Sequence, residues 1–304
     1  MQRRFVTADV FSDRRFGGNP LAVVLDTAGL TTAQMQLVAR EFNYSETTFV
    51  LPPQDAAHTA QVRIFTATQE VPFAGHPNIG TAVMLAQLRE RAGSAPLENL
   101  VFEEAAGLVP IRLLREAAQV VGAELTAPEP LSVGASVSRE DVAACLSISP
   151  SDISKLNHPP QVVSVGLPFL VAELNSRDGL ARCKPVTMAH ERVLPPIGTD
   201  AIFAYVRGGA SGELHARMFS PLDATVEDPA TGSASGATMA LLATLQPDTD
   251  AERSWRVEQG VDMGRPSLIL GRTVKRGGMV TAVHVAGQAV VVMSGTLNVP
   301  AEAA

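Results

Sequence analysis

The chain has 304 residues, 46% hydrophobic and 18% charged, with a formal charge of −7. That length and polarity suit one large or two ordinary folded domains and exclude a disordered polymer. The acidic balance, with lysine only at Lys155, Lys184 and Lys275, argues against nucleic-acid binding, which needs clustered cations. Cys145 and Cys183 are too few for a disulfide framework, and no apolar run is long enough to span a membrane. The start, MQRRFVTADVFSDRRF, lacks the apolar stretch of a secretory leader. A cytoplasmic enzyme or small-molecule binder is expected.

In chain order, residues 5–10 and 21–25 read as strands around the turn Gly17-Gly18-Asn19-Pro20. A helix follows over 31–42, with Met35, Val38, Ala39 and Phe42 at helical spacing. Strands are expected at 47–51 and 62–66. Pro77 as a first helical residue and Gly93 beyond the end predict a helix over 77–91. It is apolar nearly all round, which points to burial between layers. From about 115 to 160 the pattern is irregular, with one helix at 139–147 and a domain junction near 115–130. Strands resume at 161–165, 169–174, 201–206 and 214–220. Asp228-Pro229-Ala230-Thr231-Gly232-Ser233 opens a second small-residue helix, and 255–297 reads as strands with glycine turns.

A weak internal repeat links the halves. Phe49 and Phe65 are sixteen residues apart, as are Phe203 and Phe219; Arg63-Ile64-Phe65-Thr66 matches Arg217-Met218-Phe219-Ser220. In that register Glu46 corresponds to Asp200. Two similar halves would each carry a central helix whose N-terminal N–H groups can hold a carboxylate, and a cleft between domains would house the site. His76 is either a turn residue or a functional one. Asp228 before Pro229 suits an ordinary helix cap, and Ser233 a small helix residue. Glu46, where a helix gives way to an apolar strand, is either an exposed turn carboxylate or a desolvated acid/base. The six histidines show no metal-ligand spacing, and there is no P-loop, G-x-G-x-x-G or G-x-S-x-G.

FGGNPLAVV (16–24), NYSETTFV (43–50), FAGHPNIGTA (73–82) and EDPATGSASG (227–236) together resemble the PhzF-like family of phenazine-biosynthesis isomerases. The resemblance implies a diaminopimelate-epimerase-like α/β (α+β) fold. Two pseudo-symmetric domains would each wrap a mostly antiparallel sheet around a central helix: 1–118 with a return at about 295–304, and 119–294. It implies a cofactor-independent, metal-free isomerase, similar to that of trans-2,3-dihydro-3-hydroxyanthranilate, and a homodimer. Glu46, His76, Asp228 and Ser233 fall on the family's catalytic positions. Gly75, Pro77, Asn78, Gly232 and Asn19 are then expected to bind a carboxylate substrate. The alternatives are an epimerase using two carboxylates and a non-catalytic carboxylate-binding protein. A two-thiol racemase is disfavoured, because neither helix start holds a cysteine.

Overall fold

A computed structural model describes residues 1–223 and 226–301. The chain is a mixed α+β fold and divides into two compact units, Met1–Leu125 with Ala286–Ala304, and Thr126–Val285. Residues 302–304 of the expected return segment lie outside the described residues.

The first unit opens with β1 (Gln2–Val10) and β2 (Asn19–Val24), an antiparallel pair. Helix α1 (Thr32–Phe42) begins at a capping box: Gln34 N–H donates to Thr31 Oγ1, and Thr31 N–H donates back to Gln34 Oε1. It leads to β3 (Glu46–Leu51), parallel to β2 with Glu46 opposite Leu21. Then come β4 (Ala60–Phe65), β5 (Glu70–Val71), α2 (Gly75–Arg91), β6 (Asn99–Glu104), β7 (Gly107–Glu116) and β8 (Gln119–Thr126). β4 pairs antiparallel with β3 and β5 and parallel with β6, and β6, β7 and β8 form an antiparallel meander.

The second unit repeats this plan. It contains β9 (Ser132–Ser136), α3 (Arg139–Leu146), β10 (Gln161–Ser164), β11 (Pro168–Glu173), α4 (Arg177–Arg182) and α5 (Thr187–Val193). β12 (Ile202–Arg207), β13 (Glu213–Phe219), β14 (Glu227–Asp228), α6 (Gly232–Thr244), β15 (Ala251–Gln259) and β16 (Ser267–Arg276) follow. β11–β12 is parallel, β12–β13 and β13–β14 antiparallel, β13–β15 parallel and β15–β16 antiparallel, the order found from β2 to β7. The last strand, β17 (Met279–Asn298), returns to the first unit, where Ala289–Asn298 pairs with β1.

The register corrects the equivalence read from the sequence. Phe65 lies opposite Thr47, and Phe219 opposite Ile202. The counterpart of Glu46 is therefore Ala201; Asp200 lies one residue outside it. Phe65 and Ile64 face Glu70 and Val71, whereas Phe219 and Met218 face Glu227 and Asp228. Val71 is thus the counterpart of Asp228, and His76 that of Ser233. The matching arginines do the same work: Arg63 pairs with Glu70 and lies over the Phe65 ring, and Arg217 pairs with Glu227 over Phe219. The segment read as irregular, 115–160, also holds β8 and β9.

Both central helices are buried along most of their length. α2 starts at Gly75, two residues before the expected Pro77. It packs on β1, β2, β3 and β7, and Gly80 makes the closest approach: a Cβ there would lie 2.5 Å from Leu21 Cδ2 and 2.6 Å from Val10 Cγ2. In an open helix Gly→Ala stabilises by about 1 kcal/mol. Here overpacking reverses the sign, and Gly80→Ala should destabilise by roughly 1–2 kcal/mol in urea unfolding. A gain in stability would show that the helix is not seated on those two side chains.

Candidate functional site

In the first unit, the parallel β2–β3 pair delivers Glu46 to the start of a strand whose next three residues, Thr47, Thr48 and Phe49, are buried. Thr48 Oγ1 lies 2.8 Å from Thr81 Oγ1, a buried hydroxyl pair that ties β3 to α2. The tie fixes the register between Glu46 and the first turn of α2. His76 Nδ1 there lies 3.3 Å from Glu46 Oε2, with the imidazole 6% exposed and the carboxylate 19%. Ala74, which precedes that turn, gives it no side-chain cap. Asn19, Pro77 and Asn78 are buried around the same elements, and Gly75 opens the helix.

Burial pushes His76 down to about 3, against a smaller opposing effect of the Pro20 carbonyl, so the ring is neutral at physiological pH. A neutral imidazole has one N–H. Nδ1 faces Glu46, and Pro20 accepts from the ring, whereas Nε2 is buried without a hydrogen bond among the described residues. With Nε2 unbonded, the Pro20 carbonyl assigns the ring N–H to Nδ1 and leaves Nε2 as an acceptor. The Glu46–His76 contact is therefore a carboxylate 3.3 Å from an uncharged ring, not an ion pair. Nitrogen-15 NMR should find no His76 ionisation between pH 5 and 9. The native ring binds fewer protons than the unfolded one, whose ordinary value is 6.5. Its contribution to stability is therefore complete above 6.5 and lost as pH falls toward 3. An imidazolium signal from native protein at neutral pH would contradict this.

In the second unit, Asp228 sits on β14 rather than capping α6. Its Oδ2 accepts from Thr231 Oγ1 at 2.5 Å. Gln259, fully buried at the end of β15, clamps the turn: Nε2 donates to Asp228 O (2.8 Å) and Thr231 Oγ1 (3.0 Å), and Oε1 accepts from Thr231 N–H (3.0 Å). Gly232 and Ser233 open α6, again without a side-chain cap. The structure thus brings Glu46 and His76 together in one unit, and sets Asp228 beside Ser233's helix start in the other. The motif reading missed Thr48, Thr81, Thr231 and Gln259.

Cys145 and Cys183 lie in the apolar core of the second unit, and burial pushes both thiols up to about 11. Neither is at a helix start, which removes the pair of reactive thiolates a two-thiol mechanism needs. Among the described residues no three His, Cys, Asp or Glu are grouped to hold a metal ion, and no helix is long and apolar enough to cross a membrane.

The profile of the phenazine biosynthesis-like family matches residues 8–295. The chain belongs to that family. It is 35% identical to the trans-2,3-dihydro-3-hydroxyanthranilate isomerase of Pseudomonas chlororaphis, covering 96% of this chain and 98% of the relative. It is 37% identical to an uncharacterised isomerase of Mesorhizobium japonicum, covering 97% and 98%. A PhzF-family protein of Bacillus anthracis superposes with a TM-score of 0.86 at 27% identity, over 98% of this chain and 99% of the other. A hydroxyproline epimerase from Agrobacterium vitis shares the fold, with a TM-score of 0.65 at 13% identity, covering 97% and 92%. The protein is an isomerase of this family, with the fold that the motifs imply.

Proposed function

We propose that the protein catalyses a proton shift on a small unsaturated carboxylic acid, without a cofactor, using Glu46 as the acid/base. The observation that carries this is the Glu46 carboxylate at 3.3 Å from a buried, uncharged His76 on the first turn of an uncapped helix. Glu46 takes a proton from one carbon of a conjugated system and returns it to another, so one carboxylate serves both steps. The His76 ring lies against the carboxylate without adding a positive charge that would weaken it as a base. Nε2 is an acceptor for a substrate O–H or N–H. The amides at Gly75, His76 and Asn78 suit the substrate carboxylate, with Asn19 and Pro77 shaping the same turn. The family motif, rather than a measured distance, supports assigning Asp228, Ser233 and Gly232 to the same reaction. A ring acid of the dihydro-hydroxyanthranilate class is the proposed substrate, because the Pseudomonas relative is named for it. A cytoplasmic homodimer belongs to the same reading, and light scattering tests the dimer.

The test is turnover of trans-2,3-dihydro-3-hydroxyanthranilate and a panel of small unsaturated acids in deuterium oxide. Product carrying deuterium, or an intramolecular shift dependent on Glu46, supports the isomerase. Inverted configuration with deuterium at the same carbon would mean an epimerase instead. Ligands that stabilise the protein but never react would mean a binding protein.

A further inference from the structure

In the second unit, Gln259 and Thr231 form a hydrogen-bond chain that ends on the Asp228 carboxylate, and the partners fix the direction of every bond. Gln259 Oε1 accepts from Thr231 N–H at 3.0 Å, and Nε2 lies 2.8 Å from the Asp228 carbonyl, which can only accept. Both ends give the amide the same orientation. The second Nε2 hydrogen goes to Thr231 Oγ1 at 3.0 Å, which uses up the donors of the amide. Thr231 Oγ1 has one hydrogen of its own, and it goes to Asp228 Oδ2 at 2.5 Å. All three residues are buried.

Two features distinguish this chain from a turn held only for the sake of the fold. Thr231 is the N-cap residue of α6, where a threonine hydroxyl ordinarily accepts from an N–H of the first turn. Here it caps nothing and is turned to Asp228 instead. The first unit shows the contrast: Val71 and Ala74 stand ahead of α2 where Asp228 and Thr231 stand ahead of α6. The copy without the carboxylate also lacks the hydroxyl. Gly260 brings Gln259 to the turn, with φ at +73° and room for no side chain. A Cβ there would lie 2.3 Å from Arg265 O and 2.6 Å from Pro229 O, so the backbone after Gln259 runs directly against the residue after Asp228.

We propose that Thr231 and Gln259 are positioning residues for the reaction, fixing the rotamer and plane of the Asp228 carboxylate so that it meets substrate in one orientation. The inference rests on the proton-shift reading, which assigns Asp228 to the reaction. Gln259 orients the hydroxyl, and the hydroxyl orients the carboxylate. With Oδ2 tied to Thr231, Oδ1 is held at a fixed angle. A donor built into the fold needs no reorganisation during turnover.

Thr231→Val keeps the shape and the main-chain N–H but removes the donor to Asp228. The carbon-13 resonance of the Asp228 carboxyl, assigned by its loss in Asp228→Asn, should move in Thr231→Val at constant neutral pH and return in Thr231→Ser. Gln259→Glu leaves Thr231 in place and offers its hydroxyl a competing acceptor, so it should move the same signal. An unmoved signal in folded Thr231→Val or Gln259→Glu overturns the proposal. This readout needs no substrate, so it is decided apart from the proton-shift reading. With trans-2,3-dihydro-3-hydroxyanthranilate, or another acid that the protein turns over, kcat of Thr231→Val should fall about ten- to a hundredfold with KM within a few fold. Thr231→Ser should recover most of the loss. A wild-type kcat in Thr231→Val, or a loss that serine does not recover, overturns the positioning role even where the signal moves. If Asp228→Asn is inactive while Thr231→Val runs at full rate, the inference fails alone. A fully active Asp228→Asn removes Asp228 from the reaction and takes the inference with it.

Discussion

Glu46→Gln should lower kcat by roughly 10²–10⁴ while leaving ligand affinity within a few fold, the range seen when a positioned acid/base is lost. The amide is nearly isosteric with the carboxylate and can still meet His76, so the first turn of α2 and its amides stay in place. What disappears is the ability to hold a proton between two carbons. Paired measurements separate the two effects. Turnover should collapse, whereas a saturating acid should still raise thermal stability, by about 2.7 kcal/mol at a hundredfold excess over the dissociation constant. A variant that turns over at the wild-type rate would remove Glu46 from the chemistry. Asp228 would then be the carboxylate to replace, and the two-carboxylate epimerase the reading to pursue.

Gln259→Leu should be the most damaging single change outside the core. Gln259 makes three hydrogen bonds to the Asp228–Thr231 turn, two of them to main-chain groups. A leucine of similar size fills the space but leaves Thr231 N–H and the Asp228 carbonyl buried and unpaired. Each such group costs about 1–3 kcal/mol, so urea unfolding should show a loss of roughly 2–5 kcal/mol. Gln259→Glu is the informative companion, because it keeps the acceptor for Thr231 N–H and loses the donor to Asp228. It should fall between wild type and Gln259→Leu at neutral pH. A loss under 1 kcal/mol for Gln259→Leu would mean that water replaces the clamp.

Much of this was legible from local patterns. Helical spacing marked α1, and small apolar residues flagged both central helices. Three features escaped for physical reasons. β9, Ser132–Ser136, is exposed at every position, so it lacks the alternation that marks a half-buried strand. β8 contains Gly122, where a Cβ would strike the Gly287 carbonyl; close approach of two backbones, not a turn, put glycine there. Gln259 and Glu104 look like ordinary surface residues on strands. Counting by twos reveals them: Trp255, Val257 and Gln259 share one buried phase, as do Leu100, Phe102 and Glu104. A polar residue in an apolar phase was the available signal. The repeat was visible in composition, yet its register slipped by one residue at Glu46, because aligning the phenylalanines ignores how each strand pairs.

The Arg–Glu–Phe arrangement occurs once in each unit at matching strand positions, while residues near it differ between the copies. Where one copy has Glu46, the other has Ala201; where one has Asp228, the other has Val71. Neither Glu46 nor Asp228 therefore has an ionisable counterpart in the other copy. An enzyme built from two identical copies would treat both directions of proton traffic alike, as a reaction between mirror-image forms requires. Two copies that differ at these positions give up that equivalence, which suits a reaction whose starting and finishing carbons differ.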